Sequence, residues 1–105
     1  MPTWSVYLLK CADGSVYTGI ATDVARRVAE HEAGPRGAKY LRGRGPFELL
    51  YQAEVGSRSD AGRVELGIKK LRNAEKLDGE TLRALIAELM AGAAAGPGAP
   101  TATAT

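Results

Sequence analysis

Two short apolar runs rich in aromatic and branched residues stand near the start of the chain, Trp4-Ser5-Val6-Tyr7-Leu8-Leu9-Lys10-Cys11 and Ser15-Val16-Tyr17-Thr18-Gly19-Ile20-Ala21. Residues 4 to 11 and 15 to 21 therefore read as two strands joined by Ala12-Asp13-Gly14. A two-residue loop of Asp13-Gly14 would put Tyr7 and Tyr17 on opposite faces. A three-residue loop with Gly14 in the left-handed position pairs Cys11 with Ser15 instead. Leu9 then opposes Tyr17, Tyr7 opposes Gly19, and both tyrosines share a face. The second register is favoured because it gathers Trp4, Val6, Leu8, Val16, Thr18 and Ile20 on one largely apolar face behind. Gly19 leaves an opening beside the Tyr7 ring, its plainer reading being a bend or bulge.

Thr22-Asp23 offers capping side chains, and the helix period runs from Val24 to Ala33, with a stop at Gly34-Pro35. At 100° steps Val24, Arg27, Val28 and His31 form one stripe, with Arg26 and Glu30 toward solvent. Arg27 and His31 thus stand where apolar residues would face the sheet. A guanidinium so placed must snorkel, meet a carboxylate or open into a cleft. Residues 35 to 46 read as a loop with one helical turn at Ala38 to Arg42. Phe47 to Val55 gives a third strand ended by Gly56, and Ser57-Arg58-Ser59-Asp60 matches a capping box. The next helix has Ala61, Val64, Ile68 and Leu71 as its buried stripe, with Glu65 along it. Arg27 and Glu65 could simply pair as a structural ion bridge. Asp78 caps a last helix that buries Leu82, Leu85, Ile86 and Leu89. From Ala91 the chain is low in complexity, so the expected division is a domain over 1–90 and a disordered tail over 91–105.

At 105 residues and 45 % hydrophobic content the chain suits one globular domain. Its single cysteine, Cys11, cannot form an internal disulfide and reads as a small buried hydrophobe. No signal peptide and no apolar run of membrane length is evident, so a cytoplasmic protein with no membrane partner is expected. Net charge is only +2, but Arg36, Lys39, Arg42 and Arg44 cluster with no acid among them, and Lys69, Lys70 and Arg72 form a second group. Such patches suit a polyanion such as nucleic acid, and equally suit a solvated surface.

Two tyrosines on one face, an inward Arg and His one helical turn apart, and an inward Glu form a constellation. With it, residues 5 to about 77 resemble the GIY-YIG nuclease superfamily, especially its small single-domain bacterial members of the UPF0213 type. Ser5-Val6-Tyr7 stands at the first tripeptide and Tyr17-Thr18-Gly19 at the second. The Asp23 to His31 helix, Ala38-Lys39-Tyr40 and Arg63-Val64-Glu65 follow in family order. Ser-Val replaces Gly-Ile in the first tripeptide, and Thr stands at the centre of the second. Asn73 lies close after Glu65, where many relatives carry a functional asparagine; that role is not assigned here.

The resemblance implies an α/β (α+β) fold, a three-stranded antiparallel sheet flanked by helices. It also implies metal-dependent hydrolysis of DNA phosphodiester bonds, leaving 5′-phosphate and 3′-hydroxyl ends. Glu65 would bind one Mg²⁺ or Mn²⁺ ion and Arg27 would contact the scissile phosphate. Tyr7 and Tyr17 would line the site, and His31 matches a family position that is often His or Tyr. Arg36, Lys39, Tyr40, Arg42, Arg44 and Lys69 are the candidate nucleic-acid contacts. The general base is open among Tyr7, Tyr17 and His31, since a phenol must fall by about three units, roughly 4 kcal/mol, to act near pH 7. Gly19 would leave room for a phosphate or water. Branched, nicked or single-stranded DNA in repair or recombination is the expected substrate, with a second protein as a candidate source of specificity. A non-catalytic nucleic-acid-binding module that kept the fold is the alternative.

Overall fold

The computed structural model describes residues 2–33, 41 and 43–95. The expected stop at Gly34-Pro35, the candidate contacts Arg36, Lys39, Tyr40 and Arg42, and residues 96–105 lie outside them. Strand β1 (Trp4–Lys10) pairs antiparallel with β2 (Val16–Ala21), with Tyr7 opposite Gly19 and Leu9 opposite Tyr17. The turn is the three-residue one. Cys11 N donates to Ser15 O at 2.8 Å and Gly14 N to Cys11 O at 3.0 Å. Gly14 has φ +88°, which a side chain would strain. Asp13 Oδ1 locks the turn by accepting from Ser15 N at 3.0 Å and Ser15 Oγ at 2.7 Å. Strand β3 (Glu48–Gly56) pairs with the other side of β1, giving an antiparallel sheet of order β2-β1-β3.

Helices cover both faces of the central strand, so every residue from Ser5 to Leu9 is buried. On one face Val6, Leu8 and Val16 pack against Val64 and Ile68 of α2 (Arg58–Lys69) and Leu82 of α4 (Gly79–Ala95). On the other, Tyr7, Leu9, Cys11 and Ala21 pack against Val24 of α1 (Val24–Ala33) and Leu41. Cys11 is a buried free thiol. The capping box forms as expected: Ser57 Oγ accepts from Asp60 N at 3.1 Å, and Asp60 Oδ2 accepts from Ser57 N at 3.3 Å. Asp78 opens α4 by accepting from Glu80 N at 3.1 Å and Thr81 Oγ1 at 2.8 Å.

Four features differ from the expectations. Trp4 belongs to neither apolar cluster; it is half-buried at the end of β1, with the Arg58 guanidinium 5.5 Å from its ring centroid. Glu65 lies on the flank of the buried α2 stripe of Ala61, Val64 and Ile68, because it is about 40° from Ala61 at helical steps. A short helix α3 (Asn73–Lys76) stands between α2 and α4, stapled by Glu75 Oε1 accepting from Arg72 N at 2.9 Å. Helix α4 continues to Ala95, into the stretch expected to be tail, since alanine has the highest helix propensity. Among the described residues no helix is long and apolar enough to cross a membrane.

Replacing Ser57 with alanine removes one arm of the capping box. The expected loss is about 1 kcal/mol of unfolding free energy, read as a lower urea midpoint at unchanged slope.

Candidate active site

Helix α1 starts where Asp23 Oδ1 accepts from Arg26 N at 3.1 Å, which fixes its phase over the hairpin. With that phase Val24 and His31 are buried and Val28 packs on the Tyr7–Leu9 cluster. His31 Nε2 meets the Tyr7 hydroxyl at 2.8 Å, the phenol 1 % and the imidazole 5 % exposed. Tyr17 closes the group, its ring centroid 6.3 Å from Tyr7 and 5.6 Å from His31, edge-on to the imidazole. These four observations put one hydrogen bond and three rings in a single cluster on the sheet face covered by α1.

Gly19 has a different part from the opening first expected. A Cβ there would lie 2.5 Å from Tyr7 Oη, 2.6 Å from Tyr7 Cζ and 2.9 Å from Tyr17 Cε2. The space is the seat of the Tyr7 phenol and is filled by it. Gly19 lets the ring lie flat enough over β2 to bring its hydroxyl to His31.

Arg27 meets a carboxylate, and the partner is Glu30. Arg27 Nη1 lies 2.9 Å from Glu30 Oε1, and Arg26 Nε lies 3.8 Å from Glu30 Oε2. Glu30 was expected to face solvent; residues three apart on a helix are neighbours, so it sits beside Arg27 and is partly buried. Glu65 is paired with Lys69, whose Nζ is 3.1 Å from Glu65 Oε2. Arg27 thus pairs with Glu30 and Glu65 with Lys69, in place of the direct Arg27–Glu65 bridge considered from sequence. Although α2 packs on the sheet face opposite α1, the Glu65 charge reaches both phenols. Strand β2 is an edge strand and packs against α2, so groups from the two layers meet around it.

Burial pushes the Tyr7 phenol well above its ordinary 10, helped by Tyr17 and Glu65 and opposed by the Arg27 guanidinium beside it. Burial and then Glu65 raise Tyr17 as well, while Arg27, Lys69 and the neighbouring Tyr7 hydroxyl pull it back. His31 is lowered by burial and then by Arg27, with Glu30 offsetting part of the shift. Near pH 7 the cluster therefore holds two neutral phenols and a neutral imidazole beside a fixed guanidinium. Such a set can relay a proton from the Tyr7 hydroxyl to the imidazole, which then carries a positive charge that burial and Arg27 oppose.

Of the other candidates, Arg44 pairs through Nη1 with Asp13 Oδ2, and its carbonyl accepts from Ala12 N at 2.8 Å. It pins the segment after Leu41 to the hairpin turn. Lys69 stands at the exposed border beside Glu65, and its charge lowers the Tyr17 pKa. Glu30 was the site residue missed from sequence, and its i+3 spacing from Arg27 was the available signal.

The family model for the GIY-YIG catalytic domain matches residues 3–78. The chain belongs to the GIY-YIG family. It is 51 % identical over 74 residues to a UPF0213 protein of Cupriavidus pinatubonensis, covering 70 % of this chain and 81 % of that one. A UPF0213 protein of Citrobacter koseri is 50 % identical over 93 residues, covering 85 % and 92 %. Among solved structures, the solution NMR structure of EF2693 from E. faecalis is 34 % identical with a TM-score of 0.55, covering 80 % of this chain and 86 % of that one. The GIY-YIG assignment and the three-stranded antiparallel sheet with flanking helices stand as the residues suggested.

Among the described residues the donor set at Glu65 is a single carboxylate, and no three His, Cys, Asp or Glu side chains gather as a metal cluster. One carboxylate fits a hard cation such as Mg²⁺ that keeps most of its waters; it does not fit a site enclosed by protein ligands.

Gly19→Ala should drive Tyr7 off His31 and lower stability by about 1–3 kcal/mol, the usual range for overpacking a tight site. The checks are thermal unfolding and loss of the near-ultraviolet tyrosine signal. The pKa directions give a second expectation. Folded His31 binds its proton less readily than the unfolded imidazole at 6.5, so stability present above that pH is lost as pH falls below it. Folded Tyr7 holds its proton beyond 10, so stability present below pH 10 is lost above it. Urea unfolding across pH should show a plateau between these limits, and His31→Gln should flatten the first part of the acid limb.

Proposed function

We propose that this GIY-YIG chain is a metal-dependent endonuclease that hydrolyses DNA phosphodiester bonds. The observation that supports the reading best is the 2.8 Å Tyr7–His31 hydrogen bond set beside Arg27, with Glu65 close enough to perturb both phenols. A phenol raised above 10 is a poor base alone. A neutral imidazole with its proton on Nδ1 can take the Tyr7 proton on Nε2 while Tyr7 Oη takes one from the attacking water. The proton thus ends on His31, and Tyr7 acts as the relay; the water oxygen bonds to phosphorus as the P–O3′ bond breaks, and the departing 3′ oxygen takes a proton from solvent. Tyr17 holds the two rings in place from the edge.

Arg27, oriented by Glu30, faces the negative charge that gathers on the phosphate in the transition state. Glu65 would hold the divalent cation, exchanging its contact with Lys69 for it. The ion would supply further charge stabilisation at the phosphate oxygens. Branched, nicked or single-stranded DNA in repair or recombination remains the proposed substrate, with Lys69 beside Glu65 and Arg44 at the hairpin turn as contacts.

The Lys69 ammonium on Glu65 and the sparse donor set favour a second reading, a nucleic-acid-binding module without turnover. It would bind with strong salt dependence and never cleave.

Purified protein incubated with labelled flap, nicked, single-stranded and plain duplex DNA plus Mg²⁺ or Mn²⁺ separates the two. The nuclease reading expects cleavage that is abolished in Glu65→Ala and reduced about 10²–10³-fold in Arg27→Ala, the range for removing one preorganised donor. Absence of cleavage on every substrate, or cleavage that survives Glu65→Ala, contradicts it.

A further inference from the structure

The chain has one tryptophan, and the core does not use it. Tryptophan is on average among the most buried residue types, so a half-exposed Trp4 outside both apolar clusters asks for a reason. Trp4 forms one wall of an open cleft of about 240 Å³ whose other walls include Ile20, Thr22, Arg26 and Arg27. The cleft thus runs from the guanidinium assigned to the scissile phosphate to an aromatic ring. Arg58 lies over that ring at 5.5 Å, and the Arg26 side chain is 75 % exposed. Two carboxylates, Asp23 and Glu30, also line the cleft. Asp23 is engaged by the backbone N–H of Arg26, and Glu30 by the guanidinium groups of Arg27 and Arg26. Three guanidinium groups against two engaged carboxylates leave the region positive overall.

We propose that Trp4 is a stacking platform for an unpaired nucleotide base next to the scissile phosphate, with Arg26 and Arg58 contacting the adjoining phosphates. The choice of Arg27 as the phosphate contact rests on the nuclease reading; the Trp4 platform itself does not need turnover. Stacking on an indole face needs a base out of its duplex and tolerates any base, because every base has a π-face. Guanidinium groups suit both partners of a strand, binding phosphate in a fork and stacking on rings. The inference therefore assigns the ligand class as single-stranded nucleic acid, read without sequence preference at this position.

Because Trp4 is the sole tryptophan, its emission reports on this site alone. The experiment titrates the full chain, with divalent ions chelated to prevent cleavage, with a short oligodeoxythymidine and with a duplex of equal length. Saturable quenching by the single strand that weakens with added salt, and little quenching by the duplex, is the expected result. In parallel, anisotropy of a labelled oligodeoxythymidine should show Kd rising about 10-fold in Trp4→Ala, in line with loss of one stacked base, and rising also in Arg58→Ala. Trp4→Phe, which keeps an aromatic face if alanine unfolds the strand end, should fall between. Unchanged emission at saturating oligonucleotide, no binding at all, or an unchanged Kd in Arg58→Ala and Trp4→Phe overturns the proposal. Quenching without cleavage in the metal-containing assays would count against the nuclease reading alone, and cleavage without quenching against the Trp4 platform alone.

Discussion

The hydrogen bond between Tyr7 Oη and His31 Nε2 ties the hairpin to α1 in the interior, and the arrangement of the site depends on it. Both groups are almost wholly buried, so either one left without its partner would cost about 1–3 kcal/mol in lost hydration. The bond forms only if three separate conditions hold. The turn must have three residues, so that Tyr7 comes opposite Gly19 and shares a face with Tyr17. Position 19 must lack a Cβ, because the phenol occupies that space. Helix α1 must start at Asp23, because a shift of one residue would rotate His31 away by 100°. Hairpin, glycine and helix cap are therefore parts of a single constraint.

This dependence explains what was legible from the residues and what was not. The register of the hairpin follows from turn chemistry and the apolar pattern, both local, so the hairpin and the α1 stripe could be read directly, whereas the pairing of the third strand came only with the family resemblance. Gly19 was singled out for the right place but the wrong reason, since its neighbour across the strand, and not a ligand, fills the gap. Glu30 escaped because helical phase was judged against the sheet, whereas its partner Arg27 is on its own helix. Glu65 illustrates a further limit. Periodicity locates it near a buried stripe, yet only the strand order β2-β1-β3 shows that α2 can act around an edge strand on a cluster in the opposite layer. Trp4 fitted the apolar pattern by position, but the cluster it would join is complete without it.

Electrostatically the cluster is quiet at its centre and charged at its border. Burial keeps the phenols and the imidazole neutral, while Arg27–Glu30 and Lys69–Glu65 hold opposite charges in pairs around them. A phosphate and a cation arriving together would exchange these internal pairings for contacts of the same signs. Arg27 is offered phosphate oxygens, Glu65 a cation, and Lys69 is released toward the strand. The proposed chemistry thus asks the protein to shift few charges and to move one proton along a hydrogen bond already formed.

That hydrogen bond can be examined without any substrate. The chain has one histidine, so ¹⁵N NMR of the imidazole reports on His31 alone. The account predicts a neutral ring at pH 7 that titrates below 6.5, protonated on Nδ1, with an unprotonated Nε2 whose shift changes in Tyr7→Phe. A ring charged at pH 7, or one whose Nε2 is indifferent to loss of the Tyr7 hydroxyl, would contradict it.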